Sequence, residues 1–257
     1  MLKNKIFNNG IVNAVVARTL SILACVAVAG CAVSTPALQV RDTALYERAV
    51  ASAIRTREDR DSDASRKPVA FLTFAQVRPG MQVLDVATGG GNTTQLLALV
   101  VGAGGKVYAQ AATARPILVK RLADNPQSNI VPVVQPFDDP LPGQTATLDL
   151  VTINLSYHDI ANLPVDRIKM DRRLFDALKP GGKLIVIDHA GRAGTGTTET
   201  KTLHRIDEAL VRGELEQAGF KLEESGDYLR NPADNREIKS VDMERQTDKF
   251  AFRFVKP

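Results

Sequence analysis

The sequence predicts an α/β fold in which a mostly parallel sheet carries helices on both faces and is closed by an antiparallel C-terminal strand. Short apolar runs alternate with helix-spaced segments from Gln82 onward, the pattern of successive strand–helix–strand units. The first of those runs passes through an acid and a glycine-rich turn, Asp85-Val86-Ala87-Thr88-Gly89-Gly90-Gly91, into a helix. At the far end Phe250, Phe252 and Phe254 alternate with Ala251 and Arg253, a period of two that marks a strand with one buried face. No helix-length crossover separates it from the stretch ending near Tyr228, so it is expected to run antiparallel.

In chain order, Ala37 to Arg57 has helical spacing, with Leu45, Ala49, Ala53 and Ile54 able to share a face. The charge run Arg57-Glu58-Asp59-Arg60-Asp61-Ser62-Asp63 reads as a solvated loop or helix end, the alternative being a lid over a pocket. Ala64 to Ala75 is helical again, and Val77-Arg78-Pro79-Gly80 turns the chain. Gln82 to Val86 is the first strand and Thr93 to Val101 the helix after it. Beyond a break at Gly102 to Gly105 come a strand at Lys106 to Ala109, a helix at Arg115 to Ala123, and strands at Ile130 to Val134 and Leu148 to Asn154. A helix follows at Asp166 to Leu178, a turn at Lys179-Pro180-Gly181-Gly182, and a fifth strand at Lys183 to Asp188. Asp207 to Ala218 is a further helix and Phe220 to Glu224 a sixth strand; the phenylalanine strand is the seventh.

Apolar residues make up 44% of the chain, enough for a sizeable core, and charged residues 24% with mixed signs, which argues against disorder. The formal net charge of +4 resides mainly in Lys3, Lys5 and Arg18, and the remainder is close to neutral. A nearly neutral body has no electrostatic footprint for nucleic acid, so no nucleic-acid partner is expected.

The first residues read as an export signal. A basic region ends at Arg18, and an apolar stretch from Leu20 to Ala29 is too short to span a membrane. It ends in Val28-Ala29-Gly30-Cys31, which resembles a lipobox with Cys31 as the lipidated residue; an ordinary secretory signal cut nearby is the alternative. The expected organisation is a signal peptide over 1–31, a tether and N-terminal helical segment over 32–62, and a catalytic-type domain over 63–257. The expected location is the periplasmic side, as an outer-membrane lipoprotein touching the membrane only through the anchor at Cys31. Both cysteines, Cys25 and Cys31, lie in the leader, so the body has no cysteine nucleophile and no thiolate zinc site.

The glycine turn lets a backbone approach a ligand closely, and the helix N-terminus behind it favours an anionic group. Asn154-Leu155-Ser156-Tyr157-His158-Asp159 follows the fourth strand, at the sheet edge where open α/β folds bind ligands. His158 titrates near neutrality and suits a general base, the alternative being a loop-ordering role through Asp159. His189 ends the fifth strand beside Gly191, Gly194 and Gly196, and His204 precedes the helix cap at Asp207. No H-E-x-x-H or G-x-S-x-G occurs, so neither a metal nor a serine nucleophile is expected.

Together, Asp85, Ala87, Gly89 and Gly91 resemble the acid-x-Gly-x-Gly-x-Gly motif of class I S-adenosylmethionine (SAM)-dependent methyltransferases, with Ala87 in place of the first glycine. The NAD fingerprint fits worse, since Thr94 stands where its last glycine belongs, which disfavours a Rossmann oxidoreductase. Arg66-Lys67-Pro68, Tyr157-His158-Asp159, His204-Arg205-Ile206-Asp207, Ala218-Gly219-Phe220 and Leu229-Arg230-Asn231-Pro232-Ala233-Asp234 further resemble a bacterial group of predicted methyltransferases whose members are often exported. The resemblance implies a Rossmann-like seven-stranded sandwich that binds SAM through Asp85, Ala87, Thr88, Gly89 and Gly91, with Asn154 nearby. It places Gln110 where the family has a ribose-binding acid, Asp138 and Phe137 at the adenine, and Tyr157 and His158 at a small-molecule acceptor. The competing expectation is a non-catalytic envelope binding protein that kept the fold, suggested by the uncharged Gln110 and by the cytoplasmic origin of SAM.

Overall fold

The computed structural model describes residues 36–257 apart from 142, 144, 145, 244 and 245, with side chains from residue 42 onward. The expected signal segment over 1–31, Cys31 included, and residues 32–35 of the expected tether lie outside the described residues. Thr35–Pro257 forms one compact unit.

Four helices precede the sheet: α1 (Pro36–Val50), α2 (Arg57–Asp61), α3 (Asp63–Arg66) and α4 (Pro68–Ala75). A capping box starts α2, where the Thr56 side chain and the Asp59 carboxylate each accept a hydrogen bond from the other's backbone N–H. The single helix expected over Ala64 to Ala75 is broken in two, because Pro68 cannot continue a helix and Lys67 before it takes a left-handed turn at φ 46°. Tyr46 and Ala49 of α1 are buried, and the Tyr46 hydroxyl donates to the Val77 carbonyl at 2.8 Å.

The sheet and its helices follow as β1 (Gln82–Val86), α5 (Asn92–Val101), β2 (Lys106–Ala111), α6 (Pro116–Asp124), β3 (Ile130–Val134), β4 (Leu148–Asn154), α7 (Tyr157–Ile160), α8 (Arg167–Ala177), β5 (Leu178–His189), α9 (Thr200–Leu203), α10 (Glu208–Gln217), β6 (Lys221–Gly226) and β7 (Lys249–Val255). The strands lie in the order β3-β2-β1-β4-β5-β7-β6, with β7 antiparallel to both its neighbours and the remaining pairs parallel. This is the Rossmann-like methyltransferase sandwich that the sequence predicts. The order reverses between β1 and β4, which start in neighbouring positions and send their crossovers to opposite sides, leaving a crevice at their C-terminal ends.

Alternate residues of the central strands feed two separate cores. Leu84, Val86, Val151, Ile153, Leu184 and Val186 pack on one face with Leu174, Val211 and Leu215 of α8 and α10. Val83, Val107, Leu150, Ile185 and Ile187 pack on the other with α1, α4 and α5. Burial on both faces explains the nearly unbroken apolar runs.

Two local expectations are corrected. Lys179 to Gly182 belongs to β5, which starts at Leu178 and reaches its main run through an irregularity opposite Leu148 and Leu150. β7 is buried on both faces from Lys249 to Phe254, because Phe250, Phe252 and Phe254 enter the core with α8 and α10 while Ala251 enters the core with α1, α4 and α5. Arg253 is accommodated there by ion pairs to Glu223 at 2.6 Å and Glu224 at 2.5 Å and by donation to the Phe74 carbonyl at 2.6 Å. Among the described residues no helix is long and apolar enough to cross a membrane.

Candidate active site

A cavity of about 310 Å³ opens at the β1–β4 switch point. The β1–α5 turn forms its floor through Asp85, Ala87, Thr88, Gly89 and Gly90, and Asn92 and Thr93 of α5 extend it. Asn154, Leu155 and Ser156 border it from the end of β4. Glu58, Asp59, Ser62 and Arg66 come from the N-terminal helices and the residue between two of them, and Arg121 comes from α6.

Asp85 is almost fully buried, and its two carboxylate oxygens accept from Thr94 at 2.6 Å and Thr152 at 2.8 Å. Thr152 lies beside it in the β1–β4 register, so strand pairing itself delivers the hydroxyl. Burial raises the Asp85 pKa above the usual carboxylate value, against the hydroxyl hydrogen bonds that stabilise the anion. The turn above it is left-handed at Ala87 (φ 55°) and Gly89 (φ 57°). A side chain at Gly89 would meet only the Ala87 carbonyl, at 3.9 Å, so the space over this residue is open. Gly91 serves packing instead: a Cβ there would stand 2.7 Å from Leu118 Cδ1.

The charge run before the sheet is not simply solvated. Asp59 and Arg121 form a two-pronged pair at 2.6 and 2.9 Å with both side chains buried. Burial works to raise the Asp59 pKa, but the Arg121 and Thr56 hydrogen bonds outweigh it and hold the carboxyl below its ordinary value. Arg121 also donates to the Gly90 carbonyl at 2.7 Å and to Gln95 at 2.9 Å, tying α2, α6 and the glycine turn together. Arg66 lines the same cavity and feels the charges of Asp59 and Asp85; its backbone N–H donates to the Ser62 carbonyl at 3.0 Å, but its guanidinium has no hydrogen-bond or ion-pair partner among the described residues. Burial lowers its pKa, against the charges of Asp59 and Asp85, which act to raise it. Sequence reasoning missed Arg66 and Arg121 as site residues. Only the Arg66-Lys67-Pro68 resemblance pointed toward either.

The other expected residues separate. Gln110 is fully buried beneath the turn, where its side-chain oxygen accepts from the Ala87 N–H at 3.1 Å and its amide donates to the Gln135 carbonyl at 2.7 Å. It is a strap on the loop rather than an open ligand group. Asp138 stands apart from the cavity, paired with Lys169 at 3.0 Å, and Phe137 is part of the core. Tyr157 is fully buried with its hydroxyl between Asp171 and Glu214, each at 2.8 Å, so it does not face an acceptor. The reversal at Leu155 (φ 58°) and the start of α7 turn this ring back into the core.

His158 does occupy a chemically organised position. Asp188 accepts from the His158 backbone N–H at 2.9 Å, and its other oxygen lies 2.6 Å from Nδ1. That second oxygen also accepts the His189 N–H at 2.7 Å. Burial acts to lower the His158 pKa, but Asp188 outweighs it and raises the value. The His189 and His204 rings lie 5.8 and 5.4 Å from it, bringing together the three histidines of the chain. Burial lowers the His189 pKa to about 3, so that ring stays neutral.

A family model for the ubiE/COQ5 methyltransferase family matches residues 66–198, which span β1 through β5 and the cavity lining from Arg66 onward. The chain belongs to that family. Ubiquinone/menaquinone biosynthesis C-methyltransferase UbiE of Shewanella frigidimarina is 34% identical over 119 residues, 46% of this chain and 46% of that protein. The same-named protein of Shewanella sp. (strain W3-18-1) is 29% identical over 180 residues, 69% of this chain and 64% of its own length. The chain thus spans from about half to under two thirds of the length of these relatives. Among solved structures, a SAM-dependent methyltransferase from Aquifex aeolicus superposes with a TM-score of 0.57 at 22% identity, covering 76% of this chain and 93% of that one. The [4+2]-cyclase SpnF superposes equally well, at 0.57 with 15% identity over 85% of this chain and 94% of its own, so the fold by itself does not fix a reaction.

SAM is the cofactor of the superfamily, and the cavity fits its amino-acid end. Arg66 is an unspent cation for a carboxylate, Asp85 and Asn154 are polar groups for an ammonium, and open space lies over Gly89. The volume falls within the range of about 300–1,000 Å³ usual for small-molecule sites.

Proposed function

We propose that this protein is a SAM-dependent methyltransferase with a small-molecule acceptor, and that the methyl group goes to a ring carbon of a quinone-type compound. The observation that carries the first part is the cavity at the switch point, where the glycine turn, buried Asp85 and unpaired Arg66 converge in a chain of this family. The names of the UbiE relatives support the second part.

When bound, SAM supplies an electrophilic methyl group for in-line transfer. Arg66 would hold the carboxylate end through a charge-assisted pair, and Asp85 and Asn154 the amino group. Ala87, Thr88 and Gly89 would bring backbone close to the ligand, while α2, pinned by Asp59 and Arg121, limits water entry. His158 serves the acceptor end: Asp188 holds the Nδ1 proton and leaves the Nε2 lone pair available on that side.

Calorimetry of the full-length chain with SAM, S-adenosylhomocysteine and NAD tests the cofactor. Binding of the first two and not the third is expected, and no heat with either at millimolar ligand would sink this reading. Methyl-labelled SAM with a demethylated quinol should then place label on ring carbon; label on oxygen or nitrogen would reject the acceptor class. A second reading, a non-catalytic ligand-binding protein, is favoured by Gln110, whose amide is engaged with backbone at both ends. It predicts SAM binding without transfer to any quinol.

The export reading is likewise a proposal, supported by the residues from Leu20 to Cys31. Labelled palmitate should enter the parent chain but not a Cys31→Ser variant; equal labelling of the two would reject Cys31 as the anchor.

A further inference from the structure

We infer that His158, Asp159 and His204 form a binding site for a divalent transition-metal ion. His158 Nε2 lies 3.3 Å from Asp159 Oδ1, His204 Nδ1 lies 3.8 Å from the same oxygen, and the three atoms all fall within 4.8 Å of one another. A tetrahedral ion with bonds of about 2.0–2.1 Å needs ligand atoms roughly 3.3 Å apart. One of the three separations already has that value, and the others close by movements of the exposed Asp159 and half-buried His204 side chains. Asp159 is 58% exposed and His204 32%, so both can adjust, whereas His158 is 4% exposed and fixed.

The support behind the first ligand is that of a metal histidine. Asp188 lies 2.6 Å from Nδ1, which fixes the proton there and turns the Nε2 lone pair toward Asp159 and His204. Asp188 is itself held by two backbone N–H groups, those of His158 and His189. His204 is a non-glycine residue in a left-handed conformation, φ 49°, at the C-terminal end of α9. Such a residue is held there against local strain, as groups at ligand sites often are. The donor set of two imidazoles and one carboxylate suits zinc or iron(II), and leaves coordination positions for water or another oxygen ligand. At the acceptor end of the proposed site, one of those positions would take an acceptor oxygen. That last step rests on the methyltransferase reading, whereas the site itself does not.

The test uses metal alone on the full-length chain, treated with chelator and exchanged into metal-free buffer at about pH 8, where imidazole is largely neutral. Calorimetry with Zn²⁺ should give one ion per chain at about micromolar affinity or tighter, and Co²⁺ should show the visible bands of a low-coordinate site. His204→Ala and Asp159→Asn, at a half-buried and an exposed position, should each weaken Zn²⁺ binding by about 10–100-fold or more and abolish the Co²⁺ bands. Parent-like circular dichroism and unchanged SAM binding in these variants would separate metal loss from misfolding. Absence of stoichiometric Zn²⁺ binding to the parent would overturn the inference, as would parent-like affinity in both variants. Failure of SAM binding would instead count against the methyltransferase reading and leave the metal result standing.

Discussion

Arg66 is a cation at a cavity wall with no partner among the described residues, and an unspent guanidinium in such a place is best explained by a ligand anion. Replacing it with alanine should weaken SAM binding by about 10–100-fold, the worth of a charge-assisted hydrogen bond, while leaving thermal stability nearly unchanged. Calorimetry and a melting curve on the same sample check both halves. Ala87 offers a complementary test. Its left-handed backbone costs about 1–2 kcal/mol for a residue with a Cβ, partly offset by the entropy that glycine loses on folding. Ala87→Gly should therefore stabilise the fold by about 0.5–1 kcal/mol, seen as a rise in Tm of about 1–4 °C. At this scale the sequence was informative where the signal was local. Asp85, Gly89 and the turn between them were legible because an acid, glycines and a helix start must adjoin in the chain. Tyr157 was misplaced because the direction of a side chain just past a strand depends on the reversal at Leu155, which no nearby glycine announced. Gln110 was found at its expected strand end, but its engagement by Ala87 and Gln135 is a tertiary fact.

At the scale of elements, α2 is held over the cavity by one buried pair. Removing one partner leaves the other charge buried, which typically costs about 3–5 kcal/mol. Arg121→Met should therefore unfold at a clearly lower temperature than the parent and bind SAM less tightly, since Arg121 also grips the Gly90 carbonyl. Restoring stability with an added Asp59→Leu change, without restoring SAM binding, would separate the two roles. These partners lie sixty-two residues apart in the chain, and no periodicity links them. The α8–α10 contact makes a pH prediction. One Tyr157 hydroxyl proton serves two carboxylates, and Arg167 pairs with Glu214 at 2.6 Å, so Asp171 is the one left to carry a proton. Burial pushes its pKa up to about 8. The folded value lies above the unfolded value of about 3.9, so this group's contribution is full below pH 4 and is lost as pH rises toward 8. Asp171→Asn, which stays neutral, should flatten that part of the stability profile and raise relative stability at about pH 8. Denaturant melts across this range give the answer, and an unchanged slope would mean that Asp171 is ionised throughout.

For the molecule as a whole, the alternation of strands and helices was enough to predict the layered sheet and the sense of its last strand. The neighbours of that strand were not legible, since Phe250, Phe252 and Phe254 give a period but not an address. The address has a consequence for how the chain comes together. β7, the last strand in sequence, sits in the interior of the sheet, and β5 and β6 cannot pair through it until it arrives. Until then both expose open hydrogen-bonding edges. A chain made from its N-terminus can collapse β1 to β5 early, but completion must wait for residues 249–255. If the chain is exported as proposed, such a delay would be useful: the polypeptide would stay threadable during transport, and the final segment would lock the sheet only after it had passed.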